Sequence, residues 1–73
     1  MPELPVISCI EAVKALERAG WKVKRAGNHF VMTKFGSLAS LSIPNHHEIA
    51  KGTLRKLIRL AGLNIEEFIQ LLS

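Results

Sequence analysis

Trp21-Lys22-Val23-Lys24-Arg25-Ala26-Gly27-Asn28-His29-Phe30-Val31-Met32-Thr33-Lys34 reads as two alternating runs separated by Gly27-Asn28. A Gly-Asn pair between such runs signals a two-residue turn of type II′ or I′, whose first loop position needs the positive φ that glycine supplies. Turn length then sets the register. With two loop residues, Ala26 faces His29, Lys24 faces Val31 and Lys22 faces Thr33 on one side of the sheet. On the other side Arg25 faces Phe30, Val23 faces Met32 and Trp21 faces Lys34. The second set is largely apolar and looks into the core. The first leaves His29 on an open face with Lys22 and Lys24, a titratable ring among cations.

Outward from the hairpin, the flanks read as follows. Pro2 and Pro5 punctuate an extended lead, Met1 to Val6. Ser8 is an N-cap with Glu11 three residues on, a capping box, and Ile10, Val13 and Leu16 recur on one face up to a stop at Gly20. That predicts a helix over about 8–19, in which Cys9 is a small core filler. After the hairpin, Phe35-Gly36-Ser37-Leu38 is a loop and Ala39-Ser40-Leu41-Ser42-Ile43 alternates again as a short third strand, ended by Pro44. Ser40 and Ser42 extend the open face; Leu41 and Ile43 join the core. Asn45-His46-His47-Glu48 is a polar connection. Leu54, Leu57, Ile58 and Ala61 follow helical spacing over about 51–61, with Arg55, Lys56 and Arg59 outside and Gly62 as the stop. Asn64 with Glu67 caps a last short helix bearing Ile65, Phe68, Ile69 and Leu72. The order αβββαα predicts one α+β domain over residues 1–73, a three-stranded antiparallel sheet with helices on one face.

Composition narrows the class. A chain of 73 residues with 48% hydrophobic side chains suits one small core. No apolar run nears the roughly 20 residues a bilayer span needs, and no basic n-region precedes an apolar stretch. A lone Cys9 excludes an internal disulfide and suits a reducing compartment. The expectation is a cytoplasmic protein without membrane contact. Charge is uneven: all ten Lys and Arg lie between Lys14 and Arg59, against two glutamates, a local net of +8. Such a field favours phosphate-bearing partners or an acidic protein.

The succession Gly20-Trp21, Gly27-Asn28-His29, Ile43-Pro44-Asn45-His46, Gly52-Thr53-Leu54-Arg55, Ala61-Gly62-Leu63 and Glu66-Glu67-Phe68 resembles the HicA toxin family, small messenger-RNA interferases of HicA–HicB toxin–antitoxin pairs. The resemblance runs from about Ile10 to Leu72. It implies a double-stranded-RNA-binding-domain-like fold and metal-independent RNA cleavage that depends on the turn histidine, here His29. Family members often carry serine before that histidine and histidine or tyrosine after it; here those positions are Asn28 and Phe30. It also implies a HicB-like antitoxin covering the open face, the toxin being a monomer alone and part of a hetero-oligomer with its antitoxin.

The chemistry is compatible with the residues. RNA carries its own nucleophile, the 2′-hydroxyl, beside the scissile phosphate, and imidazole is the side chain suited to taking its proton near neutral pH. Nearby cations stabilise charge developing on phosphate oxygens. His29 is thus the candidate catalytic residue, and Lys22, Lys24, His46, Arg55 and Lys56 are the candidate RNA-binding residues. No cofactor and no metal site is expected, since His46, His47 and Glu48 are adjacent and no HExxH or CxxC spacing exists. A non-catalytic RNA-binding module and a protein-interaction domain of the same fold remain as alternatives.

Overall fold

The computed structural model describes residues 3–72. Its elements are α1 (Cys9–Arg18), β1 (Lys22–Arg25), β2 (His29–Thr33), β3 (Ser40–Pro44), α2 (Lys51–Leu60) and α3 (Ile65–Leu71). The strands form one antiparallel sheet in the order β1-β2-β3. Met32, Leu41 and Ile43 on one sheet face are fully buried, while His29, Ser40 and Ser42 on the other are exposed. This is the α+β, αβββαα arrangement expected, resembling a double-stranded-RNA-binding domain.

Local chemistry sets the helix ends. Ser8 Oγ accepts from Glu11 N at 3.2 Å, and Glu11 Oε1 accepts from Ser8 N at 3.2 Å. Asn64 and Glu67 repeat this reciprocal box at 2.8 and 3.1 Å. Each such cap satisfies two of the four amide donors that a helix start leaves without partners. α1 and α2 end alike. Gly20 N and Trp21 N donate to Glu17 O and Leu16 O, both at 3.0 Å, and Gly62 N and Leu63 N donate to Arg59 O and Ile58 O at 3.0 and 3.1 Å. These are two complete Schellman motifs, and they require the φ of +100° at Gly20 and +78° at Gly62.

The buried face of α1 is Cys9, Ala12, Val13, Ala15 and Leu16. Ile10, expected on that face, is half exposed at 51%. Cys9 takes the inward place one residue earlier because its amide donates to His46 O at 3.1 Å, which turns the helix start toward the 46–49 loop. The lead is also docked: Leu4 and Ile7 are buried, and Ile49 N donates to Ile7 O at 2.9 Å. Trp21 lies in the core as expected, packed with Leu16, Met32, Leu54 and Phe68 in one cluster. Each such large apolar side chain contributes about 1.5–3 kcal/mol by burial.

The hairpin departs from its predicted geometry. Among the described residues, positive φ occurs only at Gly20, Gly36 and Gly62. Gly27 therefore forms neither a I′ nor a II′ turn, and residues 26–28 make a wider connection. The pairs Lys22–Thr33 and Val23–Met32 form as expected, but the register slips between Val23 and Arg25, and Arg25 pairs with Val31. The expected pairs Lys24–Val31, Arg25–Phe30 and Ala26–His29 are replaced, with Lys24 as the extra residue of a bulge. The opened loop is held by tertiary contacts. Asn45 N donates to Asn28 O at 3.1 Å, and Asn45 Nδ2 donates to Gly27 O at 3.1 Å. These bonds fasten the wider loop to the chain beyond β3. Val23, expected in the core, is 38% exposed because its strand lies at the sheet edge.

Candidate functional site

The open face follows from the pairing. On β2 it presents His29, Val31 and Thr33; on β3 it adds Ser42 opposite Val31 and Ser40 opposite Thr33. β1 contributes Lys22 opposite Thr33 and, because of the bulge, Arg25 opposite Val31. His29 is exposed, and Phe30 behind it turns toward the core beside Ile43.

Register separates the cations. Lys22 pairs four residues along β2 from His29, about 13 Å at the usual strand rise. Arg25 pairs only two residues away, about 7 Å along the strand. Of the paired β1 cations, Arg25 thus stands nearer His29 along the sheet, with Lys24 beside it in the chain, and Lys22 marks the far end of the face. Uninterrupted alternation assigns Arg25 to the core. The warning against it is physical: an unpaired guanidinium placed opposite Phe30 would be buried without an ion partner, which is costly.

Asn45 has the sequence context of a loop, which hides its role. Asn45 links three parts of the site. Its amide and its Nδ2 hold the carbonyls of Asn28 and Gly27, the two residues from which His29 emerges, while its Oδ1 accepts from Cys9 Sγ at 3.3 Å. Cys9 is 4% exposed, so the far end of this chain of hydrogen bonds is anchored in the core. Pro44 is the Cα partner of His29, and His46 follows two residues later at the same end of the sheet. His46 and His47 are exposed. The His46 backbone is engaged, its N donating to Pro44 O at 2.9 Å and its O capping α1 through Cys9 N. Among the described residues no three His, Cys, Asp or Glu side chains come together as a group that could hold a metal ion.

α2 flanks the other edge of the sheet. Lys51, Arg55, Lys56 and Arg59 are exposed on it, with no acid between Lys51 and Leu60. Gly52, Arg55, Lys56 and Arg59 line a shallow hollow on its outer side. Lys56 also borders a groove between α2 and the open face, so the candidate residues Arg55 and Lys56 sit on a ridge beside the sheet. Gly52 has an ordinary negative φ, and a Cβ there would meet nothing within 4 Å. Neither backbone nor packing requires glycine at that position. A missing side chain next to three cations leaves room for a ligand to approach the backbone.

Two comparisons bear on this surface. A family model described as the HicA toxin of bacterial toxin–antitoxin matches residues 10–63, which take in all three strands and α2. No curated protein matches the chain. No described helix is long and apolar enough to cross a membrane.

Proposed function

This chain belongs to the HicA toxin family of toxin–antitoxin systems, and from that premise we propose that it is a metal-independent endoribonuclease acting on messenger RNA in the cytoplasm. The observation that carries the reading is the outward His29, held on a pinned loop at the head of an open face rich in hydroxyls and cations.

The reaction is transesterification. His29 takes the proton of the 2′-hydroxyl; the 2′-oxygen bonds to phosphorus, and the bond from phosphorus to the 5′-oxygen breaks. The products are a 2′,3′-cyclic phosphate and a 5′-hydroxyl. Negative charge grows on the non-bridging oxygens as the 2′-oxygen attacks, and Arg25 with Lys24 supplies the compensating field. The departing 5′-oxygen needs a proton, and His46, exposed at the same sheet end, is the donor within the chain. Lys22 at the far end of the face, with Arg55 and Lys56 on α2, binds phosphates and positions the strand.

A HicB-like antitoxin is the protein partner. It silences the toxin by covering the open face and burying His29, so RNA and antitoxin compete for one surface. The toxin alone is a monomer, and the pair is a hetero-oligomer.

The deciding experiment is RNA cleavage by the full chain in excess EDTA, with the ends of the products identified. Cyclic phosphate ends from the parent chain and none from a His29→Ala protein support the proposal. Undiminished cleavage by a clean His29→Ala preparation overturns the assignment of the base. Salt-sensitive RNA binding without cleavage by the parent chain would make this a binding module instead.

A further inference from the structure

The groove between β3 and α2 has chemistry that the cleavage step does not use. Ser40, Ser42, Thr53, Lys56, Leu57 and Leu60 line it, and its volume is about 340 Å³. Ser40 and Ser42 reach it because period-two alternation puts both hydroxyls on the open face of β3. Thr53, Lys56 and Leu60 reach it because spacings of three, four and seven bring them to one side of α2. Leu60 is 47% exposed there, an apolar shelf on an otherwise cationic helix.

We infer that this groove holds one nucleotide of the RNA strand next to the cut and reads which base stands there. This rests on the nuclease reading of His29 and names the part of the surface that would select its substrate. Three features argue for it. The lining offers three hydroxyls, each able to donate and to accept, which suits base edges and a ribose 2′-hydroxyl. Leu57 and Leu60 give the base an apolar surface, while Lys56, without a carboxylate partner in the groove, faces the phosphate. The groove is also close to the chemistry: Ser42 pairs with Val31, two residues from His29, which places it about 8 Å from His29 between Cα atoms. A strand whose scissile linkage lies at His29 therefore enters the groove within one or two nucleotides. The continuation of its backbone meets Arg55 and Arg59 over the bare Gly52. An acidic protein segment fits less well, because hydroxyls and leucines outnumber the single ammonium in the lining.

The test uses the full chain in two arms. In the first, a His29→Ala protein is titrated with four single-stranded RNA hexamers, one per base, while backbone amide resonances are followed. Shifts at Ser40, Ser42, Thr53 and Leu60 that differ among the hexamers are expected, and Leu60→Glu, which removes the apolar shelf and adds a charge that repels phosphate, should weaken the preferred hexamer about tenfold. In the second, the parent chain, Leu60→Glu and Thr53→Val are given a random RNA pool and their cut sites are sequenced. Both variants should cut with a flattened base preference beside the scissile linkage. Leu60 and Thr53 are exposed, so both variants should keep their fold, and matching amide spectra without RNA verify this. Unmoved groove amides, or variants with the parental preference, overturn the groove while leaving the His29 reading standing. Base-dependent groove shifts in a chain that cuts nothing uphold the groove and sink the nuclease reading instead.

Discussion

Replacing Asn45 with alanine tests whether the loop that carries His29 is held from outside the hairpin. The substitution removes two side-chain hydrogen bonds, Nδ2 to Gly27 O at 3.1 Å and Cys9 Sγ to Oδ1 at 3.3 Å. The first is exposed and the second has a weak thiol donor, so each belongs near the low end of the usual net range, about 0.5 kcal/mol. Their sum, about 1 kcal/mol, lowers the melting temperature of a domain this small by about 4–8 °C. The backbone bond from Asn45 N to Asn28 O remains, so the loop loosens without detaching. Asn45→Asp keeps the acceptor for Cys9 but turns a carboxylate oxygen toward Gly27 O, and should loosen the loop at least as much as alanine does. The local signature separates a clamp from general destabilisation: amide exchange should accelerate across residues 26–29 before it does in β3. Cleavage should fall by about ten- to a hundredfold, the scale at which small misplacements of a reacting group are felt. A parental melting temperature with unchanged exchange at 26–29 would refute the clamp.

His29→Ala should leave the thermal midpoint within about 1 °C, because the ring is exposed, while cleavage drops about 10²–10⁴-fold, the usual weight of a general base; a large loss of stability would contradict the outward placement. Gly20→Ala should cost about 1–2 kcal/mol in denaturant unfolding, since φ is +100° and the new Cβ would sit 3.3 Å from Lys34 Cε. Gly52→Ala should do the opposite, adding about 0.5–1 kcal/mol of stability in the first turn of α2 while weakening RNA binding; unaltered binding would mean that no ligand approaches there. Leu54→Ala, which empties a fully buried site under α2, should cost about 2–5 kcal/mol in the same assay. Converting Arg55, Lys56 and Arg59 together to glutamine should flatten the salt dependence of RNA binding by about 0.7 for each phosphate no longer neutralised, read from affinities at several salt concentrations.

Legibility in the sequence followed the range of the forces. Ser8 with Glu11, Asn64 with Glu67, and the glycines at 20 and 62 each act through residues within a few positions of themselves. Both capping boxes and both helix stops could therefore be placed from the chain alone. Strand alternation is equally local: it put His29, Ser40 and Ser42 on one face and Met32, Leu41 and Ile43 on the other. The family resemblance was legible too, being carried by short motifs in order from Gly20 to Phe68, and the family model matches residues 10–63.

Tertiary structure decided the rest. Gly27-Asn28 has the composition of a tight hairpin turn, yet its carbonyls bond to Asn45, eighteen residues from Gly27, and the turn opens into a wider loop with a bulge. The bulge places Arg25 on the face of His29 instead of the predicted core side. Asn45, which reads as connector, is the residue that fastens the loop from which His29 emerges. Ile10 leaves the expected core face while Cys9 stays buried as expected, since a backbone bond to His46 sets how α1 enters the core. Caps and periodicity bind neighbours whose separation is known in advance. A loop's shape is chosen by whichever partner the finished fold brings to it, and no local window contains that partner.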